Sequence, residues 1–263
     1  MTEAARSTVA RLAAAARPLR PWLHLTVSSW WVRLLIASAA QGATAQDSAG
    51  RRPAGAEDEP PAFPHPDLDD TDLVAADLVA ADLTGADLTG ADLTGRQLTG
   101  ATLTDADLTS ATLDRADLAG ARLMRGRLVT ARLAHADLLF ADLSGANLSG
   151  AELVGADLTG ADLTGANLAS ADLTGADLTS ALLVRANLAG ARLGDVRLVR
   201  AKLTGADLTG TDLDRADLTG ADPVAVRWSA HTRWPDAVGD LVRARSQEVT
   251  PGVWVVKRGV PIR

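Results

Sequence analysis

Ala81-Asp82-Leu83-Thr84-Gly85-Ala86-Asp87-Leu88-Thr89-Gly90-Ala91-Asp92-Leu93-Thr94-Gly95 is three copies of one five-residue unit, and its period decides the fold. The unit runs without interruption from Pro66 to Ala225. Leucine stands at every fifth position from Leu68 to Leu218, 31 in all, and Pro223 takes the next slot. Counting the leucine as position i, Ala is usual at i−2, Asp or Asn at i−1, and Gly is frequent at i+2. An α-helix turns about 100° per residue, so leucines five apart would stand roughly 140° apart around its axis and build no stripe. In an extended chain alternate side chains share a side, which places Ala at i−2 with Leu at i and turns Asp at i−1 the other way. Five is odd, so this alternation survives only if the backbone bends once per unit. Gly, Ser, Asp and Arg recur at i+2; Gly accepts unusual backbone angles, and Asp and Ser can bond to nearby backbone. A chain that turns a corner toward its leucine side every five residues winds into a coil with Leu and Ala inside. Each coil can then hydrogen-bond to the next, about 4.8 Å away. Burial of each leucine, at roughly 1.5–3 kcal/mol, drives the winding.

Tandem Ala-(Asp/Asn)-Leu-X-X resembles the signature of the pentapeptide-repeat family, over 160 of the 263 residues. That resemblance implies an all-β fold, a right-handed quadrilateral β-helix with four units per coil. At that count the repeat makes about eight coils and a rod roughly 35–40 Å long. The segment Thr232-Arg233-Trp234-Pro235-Asp236 is similar to the one that follows the repeats in many members. The resemblance also implies an interaction module or scaffold of unknown partner rather than an enzyme. Some members resemble duplex DNA in shape and charge, bind DNA gyrase and relieve its inhibition by quinolone drugs. This chain departs from that pattern in having leucine alone at the core position, two basic clusters on the outside, and no long apolar C-terminal helix.

The expected organisation is a basic, partly apolar leader (1–45), a Pro/Gly-rich linker (46–65), the repeat (66–225) and a small C-terminal α/β cap (226–263). Charge is uneven. The formal net charge is −7, yet the repeat carries 25 acidic against 12 basic side chains, while 1–45 and 226–263 are each +4. An acidic rod argues against direct nucleic-acid binding along its length. The absence of cysteine excludes disulfides and thiolate metal sites and fits a reducing compartment, so a cytoplasmic location is expected. Three readings of residues 1–45 stay open. Basic Arg6, Arg11, Arg17 and Arg20 before Trp22–Ala40, with Ala43-Thr44-Ala45 beyond, have the layout of an export signal. Leu23, Val27, Trp30, Trp31, Leu34 and Leu35 can line one face of a helix lying on a membrane. The third reading is a poorly ordered or mis-started leader.

No catalytic, cofactor or metal constellation is found. Gly85, Gly90, Gly95 and Gly100 mimic the glycine spacing of a phosphate loop, but no Lys-Ser/Thr pair follows. His24, His65, His135 and His231 lack ligand spacing. Asp67, Asp69, Asp70 and Asp72 lack the glycine and the distal glutamate of a calcium loop. The expectation is therefore a non-enzyme with no cofactor and a protein partner, its oligomeric state open.

Specificity must lie at the outward positions. With four units per coil, Asp117, Asp137, Asp157 and Asp177 form a column, and Asp142 and Asp162 flank it. Its spacing, about 4.8 Å, is near that of phosphates along a nucleic-acid strand, which points to a basic partner surface. The alternative is that Asp is simply habitual at i−1. Arg115, Arg122, Arg125, Arg127 and Arg132, then Arg185, Arg192, Arg197, Arg200 and Lys202, are expected to neutralise aspartates one coil away, with a binding patch as the alternative. At the end of the rod, Trp228 and Trp234 are large enough to cover the open coil, with ligand stacking the sharper alternative.

Overall fold

The unit Ala141-Asp142-Leu143-Ser144-Gly145 shows how five residues close one side of a coil. Ala141 and Leu143 point inward and are buried. Ser144 and Gly145 turn the corner, with Gly145 in the left-handed region at φ 65°. The N–H of the following Ala146 donates to the carbonyl of Leu143 at 3.0 Å, closing a four-residue turn. Each N–H of the unit finds an acceptor. Ala141 donates to Leu138 O (3.0 Å), Asp142 to Ala121 O of the preceding coil (2.9 Å), and Leu143 to Asp162 O of the following coil (2.7 Å). Gly145 donates to Thr164 O at 2.9 Å. Only the N–H of Ser144 has no backbone partner, and it donates to the Asp142 side chain, Oδ1, at 3.0 Å. A backbone donor left unpaired is costly, which gives Asp or Asn at i−1 a structural reason.

The computed structural model describes residues 78–257. The readings of residues 1–45 and 46–65, the first repeats from Pro66, the aspartates at 67, 69, 70 and 72, and His24 and His65 lie outside the described residues. Parallel bridges link each i−1 residue to the one 20 positions on, for example Asp117↔Asp137, Asp137↔Asp157 and Asp142↔Asp162. Twenty residues per coil are four units, and the rod is a right-handed quadrilateral β-helix. Leucines and the alanines at i−2 fill its interior. Thr211 replaces one of those alanines; its buried hydroxyl donates to Leu188 O at 3.1 Å. Gly126 and Val196 replace two others.

The chain leaves the coil through β1 (Arg227–Ser229), α1 (Asp236–Ala244), β2 (Ser246–Thr250) and β3 (Val253–Val256). The strands form an antiparallel sheet in the order β1-β3-β2, with Trp228 opposite Trp254 and Ser246 opposite Val256. Arg227 still pairs in parallel with Asp207, so β1 belongs to both the coil and the sheet. β3 is stitched to the final turn by Ala225 N to Val256 O (2.9 Å) and Val256 N to Val226 O (3.0 Å). In α1, Val238, Gly239 and Val242 are the buried residues, and Asp236 in the first turn and Arg243 in the last complement the helix dipole. None of the described helices is long and apolar enough to cross a membrane.

Candidate functional site

Asp117, Asp137, Asp157 and Asp177 stand in one column along the rod, and Asp142 and Asp162 are paired on the adjacent side. All six do the same local work. Each Oδ1 accepts the backbone N–H two residues on, at 3.1 Å for Asp117, 3.0 Å for Asp137, 2.9 Å for Asp157 and 2.9 Å for Asp177. For Asp142 and Asp162 the distances are 3.0 and 2.9 Å. The carboxylate at i−1 is thus a turn cap first. Asn147, Asn167 and Asn187 show that an amide does the same on a third side, and their side chains also bond to one another along the rod at 3.1 and 3.0 Å.

The second oxygen, Oδ2, is where the sides differ. Basic residues one coil on take the Oδ2 atoms of Asp107 (Arg127, 3.5 Å), Asp172 (Arg192, 3.2 Å), Asp177 (Arg197, 3.5 Å), Asp207 (Arg227, 3.9 Å) and Asp212 (Arg233, 2.9 Å). Asp177, the last member of the candidate column, is therefore already matched to Arg197. Asp117, Asp137, Asp157, Asp142 and Asp162 form no ion pair within 4.0 Å among the described residues. Arg122 bounds this acidic area at one end of its side, and Lys202 and Arg197 bound it at the other. Of the ten residues of the two basic clusters, Arg125, Arg127, Arg132, Arg192 and Arg197 pair with carboxylates of a neighbouring coil, while Arg115, Arg122, Arg185, Arg200 and Lys202 form no ion pair within 4.0 Å among the described residues. Arg125 clamps Asp105 through two bonds, Nε to Oδ1 at 2.8 Å and Nη2 to Oδ2 at 2.7 Å. That clamp holds the Asp105 carboxyl below its ordinary value. The hydroxyl and N–H of Thr219 do the same for Asp217.

Corners carry a second pattern. Residues at i+2 have positive φ whether or not they are glycine, including Arg125, His135, Phe140 and Arg185. Their side chains lean along the rod over the corner of the next coil, and that corner is Gly145, Gly155, Gly160 or Gly205 respectively. At three places where the next corner is not glycine the two side chains bond to each other, Asp105–Arg125, Asp195–Arg215 and Ser110–Thr130. Phe140 was not singled out by sequence reasoning. Its signal was there to find, since it is the one aromatic residue at any i+2 position.

At the end of the rod, Trp228 is 5% exposed and belongs to the continuous core, and Trp234 and Trp254 pack against that core. Trp228 stacks on Trp254 with ring centres 4.8 Å apart and meets Trp234 edge-on at 6.3 Å. Its indole N–H donates to Ser246 Oγ at 2.8 Å, and that hydroxyl donates to Val242 O at 2.7 Å. A shallow groove of about 350 Å³ beside Trp228 and Trp254 is lined also by Ala230, Thr232 and Arg243. Among the described residues no group of three His, Cys, Asp or Glu side chains is placed to hold a metal ion.

A family profile described as pentapeptide repeats matches eight copies across residues 65–95, 97–128, 127–165, 141–179 and 181–220. No curated protein matches the chain. Among solved structures, the chain is similar to HetL, a pentapeptide repeat protein involved in heterocyst differentiation regulation from the cyanobacterium Nostoc sp. strain PCC 7120. The two are 37% identical, the match covers 56% of this chain and 76% of HetL, and the TM-score is 0.32. Rfr23 from the cyanobacterium Cyanothece 51142 is 29% identical, with 39% of this chain and 63% of that one covered and a TM-score of 0.32. Full-length QnrB1, a plasmid-mediated fluoroquinolone resistance protein, is 18% identical, with 62% and 89% covered and a TM-score of 0.35.

Proposed function

The chain belongs to the pentapeptide-repeat family, and from that premise we propose that it is a non-catalytic protein-interaction module whose acidic faces bind a basic protein surface. The rod of residues 66–225 is the binding element, and residues 226–263, with Trp228 and Trp234, close its end. The observation that carries the reading is the division of labour within each carboxylate. At Asp177 one oxygen caps the turn (Thr179 N, 2.9 Å) while the other receives Arg197 at 3.5 Å. Asp117, Asp137 and Asp157 have the same turn bond and no such cation. The internal pair of Asp177 with Arg197 supports this reading, because an external guanidinium could take the same place on these three aspartates. Carboxylates stacked about 4.8 Å apart repel by about 1 kcal/mol per pair in water, and a basic partner relieves that repulsion.

The finer reading is mimicry of a nucleic-acid strand, with a basic DNA-binding protein such as DNA gyrase as partner. It is tested by titrating the purified full chain into gyrase and measuring both binding and supercoiling across a salt series. The expected result is binding at low salt that weakens steeply as salt screens the exposed charges. Replacing Asp117, Asp137 and Asp157 together by asparagine should abolish it with the melting temperature unchanged or raised. If the chain neither binds gyrase nor alters supercoiling at low salt, the mimic reading is rejected and the module serves another partner or a scaffold.

A further inference from the structure

Phe140 is the least expected residue on the outside of this rod. It is 68% exposed and sits at the corner between the side carrying Asp137 and the side carrying Asp142. Its backbone is left-handed, φ 54°, a conformation that bulky residues rarely adopt. Of the 30 such corners in the described repeat, 15 are glycine and most others are small, polar or charged. An exposed, strained aromatic gains little stability from burial, and a strained residue held by its surroundings is a reason to look for function. The ring is also held in place. It leans over Gly160, whose missing side chain leaves the slot, since a Cβ there would come within hard contact of the ring edge.

What surrounds the ring is acidic. Asp137 and Asp157 flank it on one side of the rod and Asp142 and Asp162 on the other, none of them matched by an ion pair among the described residues. On that second side the next i−1 position is Leu182, 39% exposed, where an acid or amide is usual. An aromatic anchor at the centre of a charged rim is the usual layout of an interface hot spot. Charge fixes the complement: a basic side chain with a flat apolar face. Arginine fits better than lysine, because a guanidinium can stack on the outer ring face while its edge donates to the flanking carboxylates.

We propose that Phe140, seated on Gly160, is the anchor of the docking surface and stacks an arginine of the partner between Asp137, Asp157, Asp142 and Asp162. This rests on the acidic-face reading above and names the residue chemistry that face selects. The test uses the full chain with an oligoarginine and an oligolysine peptide of equal length, at low salt, by calorimetry. The wild type should bind oligoarginine more tightly. Phe140→Ala and Phe140→Leu should each weaken oligoarginine binding about two- to five-fold, the scale of an exposed cation–π contact, while oligolysine binding changes much less. Phe140→Trp should retain the preference. Phe140→Gly, which relieves the left-handed strain, should melt no lower than the wild type and still lose the preference, separating recognition from folding. If Phe140→Ala leaves the arginine preference intact, or weakens both peptides equally, the anchor is overturned and the acidic face stands. If the wild type binds neither peptide at low salt, both are overturned.

Discussion

The backbone N–H of Ser144 ends on Oδ1 of Asp142, 3.0 Å away, and this bond recurs at nearly every unit that has Asp or Asn at i−1. It separates two substitutions that look alike. Asp142→Asn keeps an acceptor oxygen, as Asn147 does for Ser149, and removes one charge from an acidic side; stability should be unchanged or slightly higher. Asp142→Ala leaves the Ser144 N–H to water and should cost about 1 kcal/mol. Chemical denaturation of the full chain distinguishes them, and equal loss in both variants would mean that charge, not the turn bond, is what position i−1 supplies.

Leu143 is one residue away and fully buried. Leu143→Asp places a carboxylate among leucines with no partner and should cost several kcal/mol. Leu143→Ala removes methyl groups that neighbouring coils cannot fill and should cost about 2–5 kcal/mol. Measured beside the Asp142 variants, these establish inward and outward positions energetically; a Leu143→Asp chain as stable as Asp142→Ala would contradict the assignment.

The inward–outward assignment was legible from leucine spacing alone, because an odd period with alternating side chains allows only one bend per unit. The bend itself was legible at i+2, where glycine predominates. The count of four sides and the hand were not. They depend on how sharply each corner turns, and Ala-Asp-Leu-Thr-Gly says only that it turns. The role of Asp at i−1 was also missed, since attention to aspartate as a charge hid its short reach back to its own turn. Pairs such as Asp105–Arg125 and Phe140–Gly160 become visible only once 20 residues are known to make one coil, for they are far apart in sequence. The α/β character of the C-terminal cap was readable in outline. The sheet order of its strands was not, because β1 must leave the coil before β3 can slot between it and β2.

Corner glycines should differ by what leans on them. Gly165 has φ 67° and nothing near its missing Cβ, so Gly165→Ala should cost only the left-handed penalty, about 1 kcal/mol. Gly160→Ala carries the same penalty and must also push the Phe140 ring aside, so it should cost more. In a Phe140→Gly background the excess should disappear. A double-mutant cycle on melting temperatures reads the coupling, and zero coupling would show that the ring does not rest there.

Acid should act through the clamped carboxylates. Asp105 and Asp217 are both held below the ordinary value of 3.8. A depressed folded value means the charged form stabilises the fold above that ordinary value, and the contribution is lost as pH falls through the folded value, below 3.8. Asp105→Asn removes the Arg125 clamp at neutral pH, so wild type should melt higher than the variant there. The gap should close under more acidic conditions than pH 3.8. A gap that stays constant across that range would show that the clamp contributes nothing through charge.

The end of the rod supplies the last prediction. Up to its final coil, the rod pairs each backbone edge with the coil beyond it. At the end that supply passes to the C-terminal segment: Leu208 N donates to Arg227 O at 2.8 Å and Leu213 N to Arg233 O at 2.8 Å. Thr232 adds a hinge of three bonds, its Oγ1 donating to Leu208 O at 2.7 Å and accepting from Ser229 N and Gly210 N at 3.0 and 3.2 Å. Trp228 continues the leucine core in the same direction. Removing residues 226–263 should therefore uncover both apolar core and a row of unpaired donors and acceptors, which is the template for edge-to-edge association. The truncated chain should aggregate as its concentration rises, followed by light scattering, while Thr232→Val, which deletes the hinge but leaves the tryptophans, should stay monomeric and melt lower. A truncated chain that remains monomeric at high concentration would show that the coil needs no cover and that Trp228 and Trp234 are free for another purpose.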